Sequence, residues 1–119
     1  MGYVYLIGEE NNENKYKIGS TKCSDINKRL KQLQTGNSNQ LFIKEYYETT
    51  KPFKLETMLH NKFKYKNVIG EWFELDENDI ENFKQECEKY QNIINTLKEN
   101  PYFWVSTDFL YFYYLTLFM

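Results

Sequence analysis

GYVYLIGEENNENKYKIGST, residues 2–21, sets two tyrosine-rich apolar runs on either side of a soft polar insert. Residues 3–7 and 15–20 read as strands, and Gly8–Asn14 between them as a polar loop of hairpin type. Residues two apart on a strand share a face. Val4 and Leu6 therefore point one way, and Tyr3, Tyr5 and Ile7 the other. In the second run Tyr16 and Ile18 form one face, and Lys15, Lys17 and Gly19 the other. Pairing the mainly apolar sets into a core leaves Tyr5 and Lys17 together on the opposite surface. Gly19 has no side chain to obstruct a substrate there. A lysine inside the second run, where an apolar residue would be the easy choice, is the first sign of chemistry.

The rest of the chain supplies what packs on this hairpin. Ser24 is a fitting cap for a helix to about Gln34, with Ile26, Leu30 and Leu33 on one face and Gly36 as a stop. Residues 41–48, LFIKEYYE, suit a third strand. Pro52 starts a second helix with Leu55, Met58, Leu59 and Phe63 along its buried stripe. GEWFEL, residues 70–75, is a turn followed by a short extended piece. Asp76 opens a longer amphipathic helix with Ile80, Phe83, Cys87, Tyr90, Ile94 and Leu97 on one side. The order is β-β-α-β-α-(β)-α, a small α+β domain.

A chain of 119 residues fits one domain with one modest core. Its net charge of −2 hides an asymmetry. Residues 1–70 hold twelve Lys/Arg against seven Asp/Glu, a balance of +5; residues 71–119 hold three against ten, a balance of −7. The first part can present a basic surface to an anionic polymer, while the acidic remainder suits a solvated helix. Cys23 and Cys87 form no CxxC pair and His60 is the one histidine, which argues against structural zinc and for a reduced, intracellular protein. MGYVYLI has neither the length nor the basic flank of an export signal.

Arg29, the sole arginine, lies beside the buried stripe of its helix, and Glu56 follows Leu55 in the same way on the next. Tyrosine, lysine, arginine and acid thus have the means to converge. Taken in order, GYVY, YKIGST, RLKQLQTGN from Arg29, ETMLHNKF from Glu56 and GEWFEL resemble the GIY-YIG nuclease superfamily in its small phage and DNA-virus branch. The resemblance spans residues 2–75. Tyr3-Val4-Tyr5 stands for the first name motif, with Tyr3 in place of glycine, and Lys17-Ile18-Gly19 for the second, with lysine in place of tyrosine. Tyr16 is one place early and faces the other way. The late asparagine of many members has no match.

The resemblance implies a three-stranded antiparallel sheet flanked by helices over residues 1–75; the amphipathic helix 76–100, read from its apolar spacing, follows it. The resemblance further implies metal-dependent hydrolysis of DNA phosphodiesters. Tyr5 would be the general base, its phenolate favoured by the Lys17 ammonium, or an unprotonated Lys17 would take the proton itself. Arg29 would offset charge on the scissile phosphate, and Glu56 would hold Mg²⁺ (or Mn²⁺) near the leaving 3′ oxygen. His60, one turn after Glu56, is an accessory candidate or a packing residue. Lys22, Lys28 and Lys31 are candidates for backbone phosphates or simply a solvated helix face. No small-molecule cofactor is implied, and the setting would be the cytoplasm or nucleus of an infected host.

Two other readings stand beside the nuclease. One is a nucleic-acid-binding module that keeps the fold without turnover. The other rests on residues 101–119, where an aromatic hydrophobic tail follows Pro101. A membrane anchor fits its length, but Asp108 in its middle and the lack of a basic flank weigh against one, and a segment packed on the domain or docked on a partner fits as well.

Overall fold

The structure, a computed structural model, describes residues 1–98. The aromatic segment 101–119 and the last two residues of the helix expected over 76–100 lie outside the described residues. Strands β1 (Gly2–Glu9) and β2 (Asn12–Thr21) form the expected hairpin, with Tyr5 opposite Gly19, Leu6 opposite Ile18 and Ile7 opposite Lys17. Its turn is tighter than a loop over Gly8–Asn14, because asparagine tolerates the left-handed region. Asn11 and Asn14 take φ of 64° and 65°, which lets the strands run almost to the tip.

Beyond the hairpin come α1 (Ile26–Gln34), β3 (Leu41–Thr49), α2 (Pro52–Lys62), β4 (Asn67–Ile69), β5 (Trp72–Glu74), α3 (Glu77–Glu81) and α4 (Phe83–Lys98). β3 pairs with the free side of β1, and β5 with β2, giving one antiparallel sheet in the order β3-β1-β2-β5-β4. The sheet has five strands rather than three. The additional pair are three residues each, too short for alternation to show in the sequence, and they turn on Gly70 at φ 54°.

Both faces of the sheet are covered. Val4, Leu6 and Ile18 meet Leu55, Met58 and Leu59 of α2 and Phe83, Cys87, Tyr90 and Ile94 of α4 in the larger core. On the other face Tyr5, Ile7 and Leu41 lie beneath Ile26, Leu30 and Leu33 of α1, with Ile43 and Trp72 at the side. The face that carries Tyr5 is therefore not an open surface. Full burial of a large apolar side chain contributes about 1.5–3 kcal/mol, and Ile26, Leu30 and Leu33 of α1, partly buried, gain a share of it by covering this face. No residue of α1 is itself fully buried. Its ends are held by polar contacts instead. Asp25, not Ser24, caps it by accepting from the backbone N–H of Asn27 and of Lys28. Past its C-terminus, Glu9 accepts from Asn37 and Asn39 and ties that loop to the β1–β2 turn.

The helix expected from Asp76 is two helices. Asp76 and Asp79 form a reciprocal capping box at the start of α3, and Asn82 ends it at φ −92°, ψ 3° before α4 begins. Ile80 and Phe83 keep helical spacing across this break, so periodicity alone reads through it. No helix among the described residues is long and apolar enough to cross a membrane.

Candidate functional site

The site forms where the sheet steps. β2 pairs with β5 only over Lys15–Lys17, so its last residues extend past the shorter strand. At Ile18 the strand ladder is closed by other means. The Ile18 N–H donates to the Glu71 carbonyl at 3.0 Å, and His60 Nε2 lies 2.7 Å from the Ile18 carbonyl. A carbonyl can only accept, so Nε2 carries the proton and a neutral His60 keeps its lone pair on Nδ1. Phe73 fixes the ring further by an edge-to-face contact at 4.9 Å. The turn before β5 and helix α2 thus meet on one residue of β2.

From the other face, Tyr5 reaches toward the same end of β2. It is fully buried, and its ring crosses the α-carbon of Gly19. A β-carbon at Gly19 would stand 2.6 Å from the Tyr5 hydroxyl and 2.7 Å from two ring carbons. The space left by this glycine is filled by Tyr5 rather than kept for a substrate. Arg29 on α1 donates from Nε to the Tyr5 hydroxyl at 3.3 Å. Burial raises the Tyr5 phenol above its ordinary value; the hydrogen bond and charge of Arg29 oppose that, and Glu71 and Glu56 add to it. The cation at the phenol is therefore Arg29. Lys17 shares the Tyr5 face but pairs with Glu71, Nζ to Oε2 at 3.6 Å.

Glu56 completes the set. It is the fifth residue of α2, past the first turn, so the helix dipole does not account for it. Only 8% of it is exposed. Burial foremost, and then the neighbouring Glu71 carboxylate, push its pKa to about 7, while the Ser20 hydroxyl and Arg29 pull the other way. Two carboxylates that share a partly dry site resist ionising together. Glu56, His60 and Glu71 each offer one ligand atom, and these lie within 4.8 Å of one another.

The sequence model of one protein family, described as the T5orf172 domain, matches residues 2–88. The chain belongs to the T5orf172 domain family. This domain is nuclease-associated, which gives the protein a nuclease-like or DNA-binding role at that breadth. The match includes every site residue named above and continues into α4. No curated protein and no solved structure matches the chain.

Within the T5orf172 domain the acidic end of the site fits a divalent metal. Ligands on opposite sides of an ion with bonds of about 2.1–2.4 Å stand about 4.2–4.8 Å apart, and the three ligand atoms here lie within 4.8 Å of one another. Its donors are two carboxylates and one imidazole, all groups that bind such ions.

Lys22, Lys28 and Lys31 are exposed, just before α1 and along it, and enter no ion pair among the described residues. Tyr16 and Phe73 belong to the larger core, and Trp72 packs against the smaller one. Glu71 is the site residue that the sequence reading passed over. Its signal was an acid in a turn directly ahead of the apolar pair Trp72-Phe73.

Proposed function

We propose that this T5orf172 domain is a metal-dependent DNA endonuclease that hydrolyses phosphodiester bonds in the GIY-YIG manner. The observation that carries the reading is the joining of Arg29 and Tyr5 from one face of the sheet to Glu56, Glu71 and Lys17 at one end of β2. Binding DNA alone calls for neither a buried acid nor a buried phenol beside the phosphate-binding cation. A buried carboxylate beside a partly exposed one repels the polyanion unless a metal lies between them.

In this reading Arg29, held at Nε by Tyr5, presents its remaining N–H groups to the scissile phosphate and offsets the charge that builds on it. Glu56 holds Mg²⁺ or Mn²⁺. The ion, when bound, supplies positive charge to the leaving 3′ oxygen and offsets the carboxylates that push the Tyr5 phenol up. Tyr5 would accept the proton of the attacking water as its phenolate, the form that the bound ion and Arg29 would favour. Lys17, bound to Glu71, adds positive charge on the same face. Lys22, Lys28 and Lys31 take backbone phosphates on the side of α1.

One observation favours the alternative, a module that binds DNA without cutting it. Tyr5 is fully buried and its phenol is raised, so in the metal-free protein it is protonated at neutral pH. The test is nicking of supercoiled plasmid by the full chain with Mg²⁺, with Mn²⁺ and with chelator. Metal-dependent nicking that leaves 5′-phosphate and 3′-hydroxyl ends supports the endonuclease. Salt-sensitive binding with no nicking under any condition supports the binding module.

A further inference from the structure

Glu56 is more than nine-tenths buried and forms no ion pair among the described residues, which is unusual for a carboxylate in that position. Around it stand a second carboxylate, Glu71, an imidazole, His60, the Ser20 hydroxyl and the charge of Arg29. We propose that Glu71 and His60 join Glu56 as ligands of one divalent ion, forming a two-carboxylate, one-imidazole centre that takes Mn²⁺ in preference to Mg²⁺. This deepens the endonuclease reading, and rests on it, by replacing a single-carboxylate metal site with a three-ligand one.

Three features of the geometry point to it. The first is reach: the three ligand atoms lie within 4.8 Å of one another, so one ion can touch all of them with little side-chain movement. The second is preparation of the imidazole. A metal-bound histidine ordinarily donates its other ring N–H to a carbonyl or carboxylate, which fixes the tautomer and turns the lone pair toward the ion. His60 already donates through Nε2 to the Ile18 carbonyl at 2.7 Å, which leaves Nδ1 as its metal-binding atom. The third is that Glu71 is anchored to the same residue, since its own carbonyl accepts from the Ile18 N–H at 3.0 Å. Two backbone groups of a core strand thereby set the two outer ligands, while α2 supplies Glu56 one turn before His60. Lys17 approaches Oε2 of Glu71 at 3.6 Å, and the Glu71 carboxylate also meets that of Glu56.

The ligand types decide the metal. Mg²⁺ favours oxygen donors and near-ideal octahedra, and it keeps several of its waters. Mn²⁺ shares the taste for carboxylate but, as a first-row transition ion, also accepts imidazole nitrogen. A centre with one nitrogen in three protein ligands therefore favours Mn²⁺.

The experiment is calorimetric titration of the metal-stripped full chain with MnCl₂ and with MgCl₂, joined to pulsed EPR of the Mn²⁺-loaded protein. Glu56→Gln, Glu71→Gln and His60→Gln variants run alongside; the glutamine amide keeps a donor for the Ile18 carbonyl where Nε2 stands. Expected are Mn²⁺ binding about ten-fold or more tighter than Mg²⁺, and a ¹⁴N coupling in the Mn²⁺ spectrum that His60→Gln removes. Glu71→Gln should weaken Mn²⁺ by about ten-fold or more, at least the effect of losing an outer-shell partner. The spectrum of the unsubstituted chain needs no variant to fold. Mn²⁺ bound without nitrogen coupling, at an affinity Glu71→Gln leaves unchanged, overturns the inference but spares the endonuclease. A nitrogen-coupled ion in a protein that nicks no plasmid keeps the metal centre and removes the endonuclease. Failure of the unsubstituted chain to bind either metal overturns both.

Discussion

Tyr5 occupies the space that Gly19 leaves empty: its phenol lies across the glycine α-carbon on the neighbouring strand and meets Arg29 beyond it. The glycine of the second strand and the tyrosine of the first thus form one device, which brings a buried side chain to the end of the sheet. Gly19→Ala puts a methyl group within 2.7 Å of the ring. Overpacking of this kind costs about 1–3 kcal/mol, and the ring has to move away from Arg29. Thermal denaturation should show the lower Tm, and DNA cleavage should fall along with it.

Tyr5→Phe separates chemistry from packing. The ring remains, and only the hydrogen bond from Arg29 is lost, so stability should change by about 1 kcal/mol or less. Cleavage at saturating metal should fall by about 10²-fold or more if the phenol accepts the water proton. The native rate should continue to rise with pH past neutrality, because the phenol is raised above its ordinary value. The Tyr5→Phe rate should lose that rise.

Glu56 carries a stability penalty with a defined sign. Its folded pKa, about 7, is above the ordinary value of 4.5, so the folded state holds the proton more tightly than the unfolded one. Stability is therefore fully present below about pH 4.5 and falls as the pH rises toward 7. The size of the effect is on the order of 3 kcal/mol. Glu56→Gln should raise Tm at pH 8 and leave it nearly unchanged at pH 4. Mn²⁺ should raise the Tm of the native chain at pH 8 and not that of the variant.

Lys22, Lys28 and Lys31 are exposed and form no ion pairs among the described residues, so replacing all three with alanine should leave the fold intact. If each takes a backbone phosphate, the slope of log affinity against log salt should become shallower by about 2–3. A slope unchanged by the triple substitution would move the DNA path off α1.

Much of this was legible in the sequence. The hairpin faces follow from alternation, and the buried stripe of α2 from its helical spacing, with Leu55, Met58, Leu59 and Phe63 all buried. What escaped has physical reasons. Alternation says that Tyr5 and Val4 face opposite ways, but not that α1 covers the second face as well as α2 and α4 the first. A three-residue strand such as β4 gives no periodic signal. The break at Asn82 keeps the apolar stripe in phase. Glu71 lies in a turn, where its reach to Lys17, Glu56 and Ile18 depends on the sheet stepping at β5, a tertiary property that no local pattern encodes.

The most direct test of the account is the single-turnover cleavage rate of end-labelled duplex DNA by the full chain, measured beside Arg29→Ala and Glu56→Gln, with DNA affinity determined for each. The account predicts metal-dependent cleavage that falls by about 10²-fold or more in both variants, while both still bind DNA. Cleavage that survives chelator, or that either variant retains at the native rate, would contradict it.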